Sequence, residues 1–321
     1  MTQSGAAIPA ARSGDAGKGV AIETAPGTAA EAARRFLANR LAVIGLIVAL
    51  MIIAVAILAD VLAPYPRDFA DFSQVLQFPS PEHPLGTDAV GRDFLSRILH
   101  GARTSMIVGL SVPLLSALIG IPLGAWAGWH GGRFDFVFLR AVEITTAIPG
   151  YMLAILLVTI WGGGLELLIF YFVIVGWVGF GRLARAQFVA LKPREYILSA
   201  RSLGASDVRL MLRHIMPNAA GPMVVILVIA IPEAIFAEAG LSVLGLGVKN
   251  PIPSWGKMIA EGAPYASTYW YLMVIPTVLI AITMLAFTFV GDGMRDALDP
   301  HSQQPRSGLR KRGGRLMAPK R

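Results

Sequence analysis

The sequence contains no cysteine, and charged residues make up only 15% of its 321 residues. Without cysteine, disulfide bridges, iron–sulfur clusters and thiol chemistry are excluded. The phosphate-binding pattern Gly-x-x-x-x-Gly-Lys-Ser/Thr is also missing, because Lys18 is followed by Gly19 and Lys257 by Met258. This chain therefore does not bind ATP by that route.

Signatures of common enzymes and of metal sites are missing as well. The sequence has neither His-Glu-x-x-His nor Gly-x-Ser-x-Gly, so the usual hydrolase motifs fail. Its histidines are scattered and lack the spacing of zinc ligands; they are His83, His100, His130, His214 and His301. We therefore predict no catalytic residue, no metal site and no cofactor in this chain.

Long apolar stretches dominate what is present. Hydrophobic residues make up 55% of the chain and the mean hydropathy is +0.62. Crossing a hydrocarbon core of roughly 30 Å takes about 20 apolar residues in a helix. Six stretches meet this requirement and predict an all-α integral membrane protein: 41–63, 104–128, 136–160, 165–181, 219–239 and 270–290.

The net charge is +8, and the cations lie beside these apolar stretches and not among aromatic residues. This placement argues against nucleic-acid binding and is typical of the cations that orient a protein in a membrane. One orientation places roughly 22 cations inside and roughly 6 outside, with both termini cytoplasmic. The predicted parts, in order, are a disordered tail 1–33, an anchor helix 34–66, an external loop 67–103, a transmembrane domain 104–300 with a cytoplasmic loop 182–218, and a basic tail 301–321.

Prolines and glycines within the spans predict their shape. Each proline removes a backbone hydrogen bond and bends its helix, which suits a cavity-forming bundle; the prolines concerned are Pro113, Pro122, Pro149, Pro232 and Pro276. Gly120, Gly124 and Gly128 recur every four residues on one helical face, where a neighbouring helix can approach closely. We interpret this stripe as ordinary helix packing.

Charged residues near the membrane have two possible roles. Carboxylates within spans are often functional, but those found here lie near span ends, where interfacial or packing roles fit better; they are Glu143, Glu166, Glu233 and Glu238. In the external loop, Asp88, Arg92, Asp93 and Arg97 are expected to pair locally or to meet a partner protein, in preference to contacting substrate directly.

The cytoplasmic loop is too polar to span a membrane and too patterned for disorder. Ile197, Ala200 and Gly204 share one helical face, which predicts two short helices joined by a break. Gly204 supplies a left-handed residue, Ser206 or Asp207 caps the second helix, and Pro217 with Asn218 separates that helix from the next span. Such a helical elbow suits docking in a cleft of another protein, or lying flat on anionic lipid.

Several motifs resemble one family. Residues 200–204, Ala-Arg-Ser-Leu-Gly, followed by His-Ile-Met-Pro-Asn at 214–218, resemble the EAA loop of ABC importer permeases. Three further segments resemble dipeptide and oligopeptide permeases of the C type: 83–103 with His-Pro-Leu-Gly-Thr-Asp, 238–256 with Pro-Ser-Trp-Gly, and 296–300, Asp-Ala-Leu-Asp-Pro. The resemblance runs in order from about residue 34 to residue 300 and implies a type I importer permease in the bacterial inner membrane.

The family implies partners that this chain lacks. These are a second related permease, two ATPase subunits that bind ATP and Mg, an extracytoplasmic peptide-binding protein, and membrane lipid. The resemblance assigns contact with the ATPase to Glu195, Tyr196, Ala200, Arg201, Gly204, Ala205, Asp207, His214 and Pro217. Where the loop usually reads Glu-Ala-Ala, this chain has Leu198-Ser199-Ala200, so the usual glutamate is absent and compensation by Glu195 stays open.

Alternatives to peptide import differ in cargo or in class. The same machine could carry nickel chelates, glutathione or sugars. An autonomous secondary transporter or channel would need no ATPase, and a membrane enzyme would need a catalytic set that the sequence lacks. The elbow makes one early prediction, since Gly204→Asp should abolish transport through loss of a left-handed turn and of a close contact.

Overall fold

A computed structural model describes residues 29–298 of the chain. These residues form helices, with one isolated β-bridge between Thr87 and Asp93. In chain order the helices are α1 Ala29–Ala38, α2 Arg40–Ile57, α3 Ala59–Leu62, α4 Phe94–His130, α5 Gly132–Ala147, α6 Gly150–Trp161, α7 Leu165–Leu191, α8 Glu195–Ser202, α9 Asp207–Arg209, α10 Met216–Val243, α11 Trp255–Gly262 and α12 Tyr271–Leu298. Short 3-10 turns cover Phe72–Gln74 and Ala263–Tyr265, and a π-helical turn covers Leu210–Ile215.

Side-chain caps set where two of the membrane helices begin. The side chain of Asn39 accepts hydrogen bonds from the backbone N–H groups of Leu41 and Ala42 at 3.1 and 3.3 Å, so α2 begins at Arg40. The Asp93 carboxylate accepts from the N–H and the hydroxyl of Ser96, both at 2.7 Å, which begins α4 at Phe94.

Five helices are long and apolar enough to cross a membrane: Arg40–Ile57, Phe94–His130, Leu165–Leu191, Asp207–Val243 and Tyr271–Leu298. A sixth span exists if α5 and α6 count as one, although they meet at an angle of 78°. The all-helical membrane bundle is thus confirmed with five spans, or with the predicted six if the bent pair counts as one. The single straight helix expected over 136–160 is wrong. The chain breaks at Ile148 and Pro149, because proline has no N–H to continue the ladder.

The glycine stripe lies where α4 crosses α7. A Cβ atom added at Gly124 would collide with the carbonyl of Gly181, and one added at Gly128 would lie 2.6 Å from the carbonyl oxygen of Arg185. Gly120 faces the carbonyl of Trp177 in the same way. The packing interpretation is therefore confirmed: these glycines allow two long helices to touch backbone to backbone.

Helix α4 connects two differently built ends of the molecule. Its 37 residues extend about 55 Å at 1.5 Å per residue. At its start it meets a group that we name the cap, consisting of residues 63–93 and α11. At its end it meets residues 192–215, which we name the elbow.

Several predicted boundaries require correction. Helix α4 begins inside the expected loop 67–103, and α7 continues to Leu191, inside the expected loop 182–218. Residues 29–33 belong to α1 and not to a disordered tail. The rest of that tail, the basic tail 301–321 and residues 299–300 of the last family motif lie outside the described residues.

Candidate functional site: the elbow and the cap

The first helix of the elbow ends in a complete Schellman motif. The N–H of Ala205 donates to the carbonyl of Ala200 at 3.1 Å, and the N–H of Gly204 donates to Arg201 at 2.9 Å. Gly204 has φ +85°, the left-handed conformation predicted from the sequence. The expected close contact is wrong within this chain, because a Cβ at Gly204 would meet nothing within 4 Å.

The inner face of the elbow is fixed to the helix bundle by apolar packing. Ile197 is fully buried and belongs to a cluster with Trp129 at the end of α4 and Phe188 near the end of α7. Ala200 and Ala205 pack against the same cluster. Of the predicted apolar face, Ile197 and Ala200 thus point inward, whereas Gly204 is exposed. The anchor of this face is a tryptophan that the sequence pattern did not single out.

Two positively charged side chains lie over the ring of the same tryptophan. The guanidinium of Arg201 lies 5.0 Å from the ring centroid of Trp129, and the Lys192 ammonium lies 5.5 Å from it. Lys192 also donates to the Trp129 carbonyl at 2.5 Å, satisfying an acceptor in the last turn of α4. Nearby, Arg185 donates two hydrogen bonds to Asp135, one of them at 2.7 Å, which ties α7 to α5.

The second half of the elbow is not a separate helix, contrary to the sequence prediction. Ser206 occupies the N-cap position of α9 without a side-chain hydrogen bond, and the helix continues through the π turn into α10. Within the turn, the N–H of Met216 donates to the carbonyl of Met211, five residues earlier. This wider turn accommodates Pro217, so the helix passes the proline without breaking.

The outer face of the elbow presents large apolar side chains to its surroundings. Leu203 is 89% exposed, and four more apolar residues of the elbow are at least two-fifths exposed. These four are Tyr196, Leu198, Val208 and Leu212. Arg201 and Asp207 border this face and lie 3.6 Å apart.

Most of the residues predicted for the contact lie on or beside this face. Glu195, Tyr196, Arg201, Gly204, Asp207 and Pro217 are exposed, whereas Ala200, Ala205 and His214 are half-buried. Glu195 occupies the first position of α8. The exposed leucine at 203 was missed; its only sequence signal is a large apolar residue directly before a turn glycine in a polar loop.

The cap at the other end of α4 is held by buried ion pairs. Arg97 is 1% exposed and lies 3.2 Å from the Asp88 carboxylate and 2.8 Å from that of Glu261 in α11. Arg92 pairs with Asp88 at 2.6 Å. His83 lies 2.9 Å from Asp93, the residue that caps α4. Three of the four charges singled out in this loop thus pair with one another, while the partner of Arg97 in α11 was not predicted.

Helix α11 packs against α4, α10 and α12. The Trp255 indole donates to the carbonyl of Ile98 at 3.1 Å, and a Cβ at Gly256 would collide with the backbone of Ala239. Glu238 is fully buried and accepts hydrogen bonds from Ser242 and Ser254, both at 2.7 Å. The packing role expected for Glu238 is therefore confirmed, because it accepts a hydrogen bond from Ser254, the residue that caps α11.

Burial also affects a lysine of α11. It lowers the pKa of Lys257 to about 8; the negative charge of Glu261 opposes this shift, and the positive charges of Arg97 and Arg92 add to it. Among residues 29–298, no three His, Asp or Glu side chains come together in a group that could hold a metal ion.

Comparison with known proteins gives this architecture its context. The family described as "Binding-protein-dependent transport system inner membrane component" matches residues 120–304, and that described as "N-terminal TM domain of oligopeptide transport permease C" matches residues 28–79. The chain therefore belongs to the binding-protein-dependent transport system inner membrane components, and it is a multi-pass protein of the inner membrane.

Individual relatives narrow the position within this family. The chain is 41% identical over 270 residues to the oligopeptide transport system permease protein OppC of Bacillus subtilis, covering 84% of this chain and 88% of the relative. It is 38% identical to the dipeptide permease DppC of the same organism, covering 84% and 85%. The glutathione permease GsiD of Pectobacterium atrosepticum is 39% identical, covering 83% and 89%.

A solved structure supports the fold. An inward-facing structure of the MetNI methionine ABC transporter superposes with a TM-score of 0.51 at 19% identity, covering 64% of this chain and 97% of that chain. The helices described above thus follow the type I ABC importer permease fold.

Proposed function

We propose that this chain is the permease subunit of an ATP-driven peptide importer, and that its elbow receives the motion of an ATPase subunit. A second, related permease completes the path between the two chains, a binding protein delivers the peptide, and separate ATPase subunits bind ATP and Mg. Both termini and the elbow lie in the cytoplasm, and the cap lies outside. The roughly 22 to 6 division of cations supports this orientation.

The observation that carries the proposal is the contrast between the two faces of the elbow. Its inner face is anchored by a fully buried isoleucine, whereas its outer face exposes Leu203 almost completely. Exposed apolar side chains on a rigid base are typical of a docking surface. A helix lying flat on lipid would turn its apolar face to the membrane, but here Ile197 faces Trp129 of the bundle.

Transmission follows from the way the elbow is attached. It packs on the ends of α4 and α7 and continues into α10 through the π turn. A push on the elbow therefore reaches three membrane helices at once. Binding of ATP changes the permease only insofar as it favours one helix arrangement over another.

Peptide is the cargo that the relatives support best, since relatives at 41% and 38% identity are named for oligopeptides and dipeptides. A second candidate is glutathione, itself a small peptide, because a glutathione permease is similar over most of its length. Uptake of labelled dipeptide, oligopeptide and glutathione by cells that contain the complete transporter separates these cargoes. ATP-independent uptake by the purified chain would instead indicate an autonomous transporter.

The docking role is tested by Leu203→Glu in the assembled transporter. Because Leu203 is 89% exposed, the substitution should leave the fold intact and place a charge in the apolar contact. We expect the ATPase subunits to dissociate from the permease in a pull-down and peptide uptake to fall by at least about tenfold. Phe72→Glu in the cap, at a residue 77% exposed, is the matched control and should retain the ATPase. Retention by both variants would remove the elbow from the contact.

A further inference from the structure

Two cavities meet at Arg103, on the side of the bundle where α2 packs against α4. The first is a groove of about 480 Å³ between these helices, lined by apolar side chains that include Ile53, Ile57, Ile107 and Leu110. The second is a polar pocket of about 610 Å³. The charged and titratable residues lining this pocket are Asp60, Arg67, Asp68, His100 and Arg103.

The lengths of the helices place the two cavities at different membrane depths. Helix α2 has 18 residues and extends about 27 Å, close to the thickness of a hydrocarbon core. Ile53 and Ile57 belong to its final turns, so the groove lies at the depth of the lipid acyl chains. Asp60 follows Ile57 by three residues, which places the polar pocket at the level of the headgroups.

The pocket carries balanced charge and free hydrogen-bond donors. Arg103 lies 2.8 Å from Asp60, and Arg67 lies 3.3 Å from Asp68. Hydrogen bonds from Arg103 and His100 lower the pKa of Asp60, so that carboxylate is charged at neutral pH. Arg103 also donates to the carbonyls of Ala56 and Ile57 at 2.9 and 3.0 Å. Three of its five N–H donors are then used, and two remain for a ligand.

We propose that this composite site binds a zwitterionic phospholipid such as phosphatidylethanolamine. One acyl chain fills the groove. The phosphate accepts hydrogen bonds from the two remaining N–H groups of Arg103 and lies near Arg67, and the ammonium lies beside Asp60 and Asp68. The headgroup ammonium can join the Asp60 and Asp68 carboxylates, whose side chains stay exposed beside their arginine partners, whereas phosphatidylglycerol brings no cation to them. The bound lipid would join the anchor helix α2 to α4 beneath the cap.

Native mass spectrometry tests the site on the complete transporter. The transporter is extracted from nanodiscs that contain equal amounts of phosphatidylethanolamine and phosphatidylglycerol, and the retained lipid is counted. Leu110→Trp fills the groove, and Arg67→Gln removes a cation from the pocket. Each should reduce retained phosphatidylethanolamine about tenfold, as expected for one lost charge-assisted bond or a blocked chain.

Matched controls lie on comparable surfaces outside the site. Leu118→Trp changes an exposed leucine farther along α4, and Arg140→Gln changes an exposed arginine that is also ion-paired. Both should retain the lipid. Equal retention by Leu110→Trp and Leu118→Trp would refute the groove, and preferential retention of phosphatidylglycerol would refute the zwitterionic headgroup. Cross-linking of Leu110→Cys, in a chain with no cysteine of its own, to the second permease would show that a protein occupies the groove and would overturn the proposal.

Discussion

The cap and the elbow lie at opposite ends of α4 and are stabilised in opposite ways. In the cap, charged side chains pair inside the protein, with Arg97 between two carboxylates that belong to different elements. In the elbow, an apolar cluster holds the inner face and large apolar residues remain exposed on the outer face. The cap is thus held together by paired charges, whereas the elbow is held together by apolar packing.

This difference concerns the interactions that hold each end together. The buried charges of the cap already have partners within the chain, although the cap also exposes apolar side chains such as Phe72 and Phe78. Covering exposed leucines with a partner is favourable by about 25 cal/mol for each Å² of apolar surface that is buried. Substitutions at the two ends should therefore have different consequences, and the following experiments test that expectation.

The largest effect is expected at Gly204. Replacing it with aspartate should abolish uptake, because the residue must keep a positive φ and the new charge enters the exposed apolar surface. Gly204→Asn should reduce uptake only in part, since asparagine tolerates the left-handed conformation and carries no charge. Transport of a labelled peptide in vesicles with the whole transporter measures both. Normal uptake by the aspartate variant would remove the elbow from the mechanism.

In the cap, the strongest test is Arg97→Gln. It leaves Asp88 and Glu261 with Arg92 as their remaining partner, so we expect the protein to lose about 3 kcal/mol of unfolding free energy. The unfolding midpoint in nanodiscs measures this loss. Arg67→Gln, which breaks an exposed pair with Asp68, should cost less than about 1 kcal/mol. Equal losses for the two variants would mean that the buried pairs of Arg97 contribute no more to stability than the exposed pair of Arg67.

At the inner face of the elbow, Ile197→Ala should cost about 2–4 kcal/mol, because it removes a fully buried side chain from the cluster around Trp129. The damage should be local, with faster hydrogen exchange at residues 195–215 and little change in the cap. Leu203→Ala, at an exposed position, should leave exchange unchanged. Faster exchange in both regions would show that the two ends are not independent.

The smallest effect concerns pH. The pKa of Lys257 is about 8 in the folded cap and 10.5 in the unfolded chain. Between these values the unfolded chain holds a proton that the folded protein has lost, so stability rises with pH across this window. Below pH 8 both states are protonated and the full cost of burial is present. Lys257→Met should raise the unfolding midpoint at pH 7 and flatten this rise, whereas parallel pH curves would contradict it.

The sequence was most informative where a local requirement decides the structure. Apolar stretches identify the spans because lipid offers no hydrogen bonds, and Gly204 identifies the turn because its positive φ favours glycine. In contrast, the sequence predicted a break at Pro217, because proline usually ends a helix. In the structure the helix continues through Pro217, since the wider turn at Leu210–Ile215 accommodates the proline.

Contacts between distant residues explain most of what was missed. Arg97 and Glu261 lie 164 positions apart, and no local pattern relates them. Trp129, near the end of α4, contacts Lys192 of the elbow across 63 positions, and it has no unusual sequence context. The exposure of Leu203 could not be predicted either. A leucine in a loop has the same local sequence signal whether its side chain is buried or, as here, almost entirely exposed.

The break between α5 and α6 has a consequence for solvation. At Ile148 and Pro149 the helix stops within an apolar stretch, and the last carbonyls of α5 lose their helical donors. Hydrocarbon cannot replace those donors, and each unsatisfied carbonyl would cost several kcal/mol. Backbone of this kind persists at membrane depth only against protein or water, so we expect the break to face another subunit or a water-filled space.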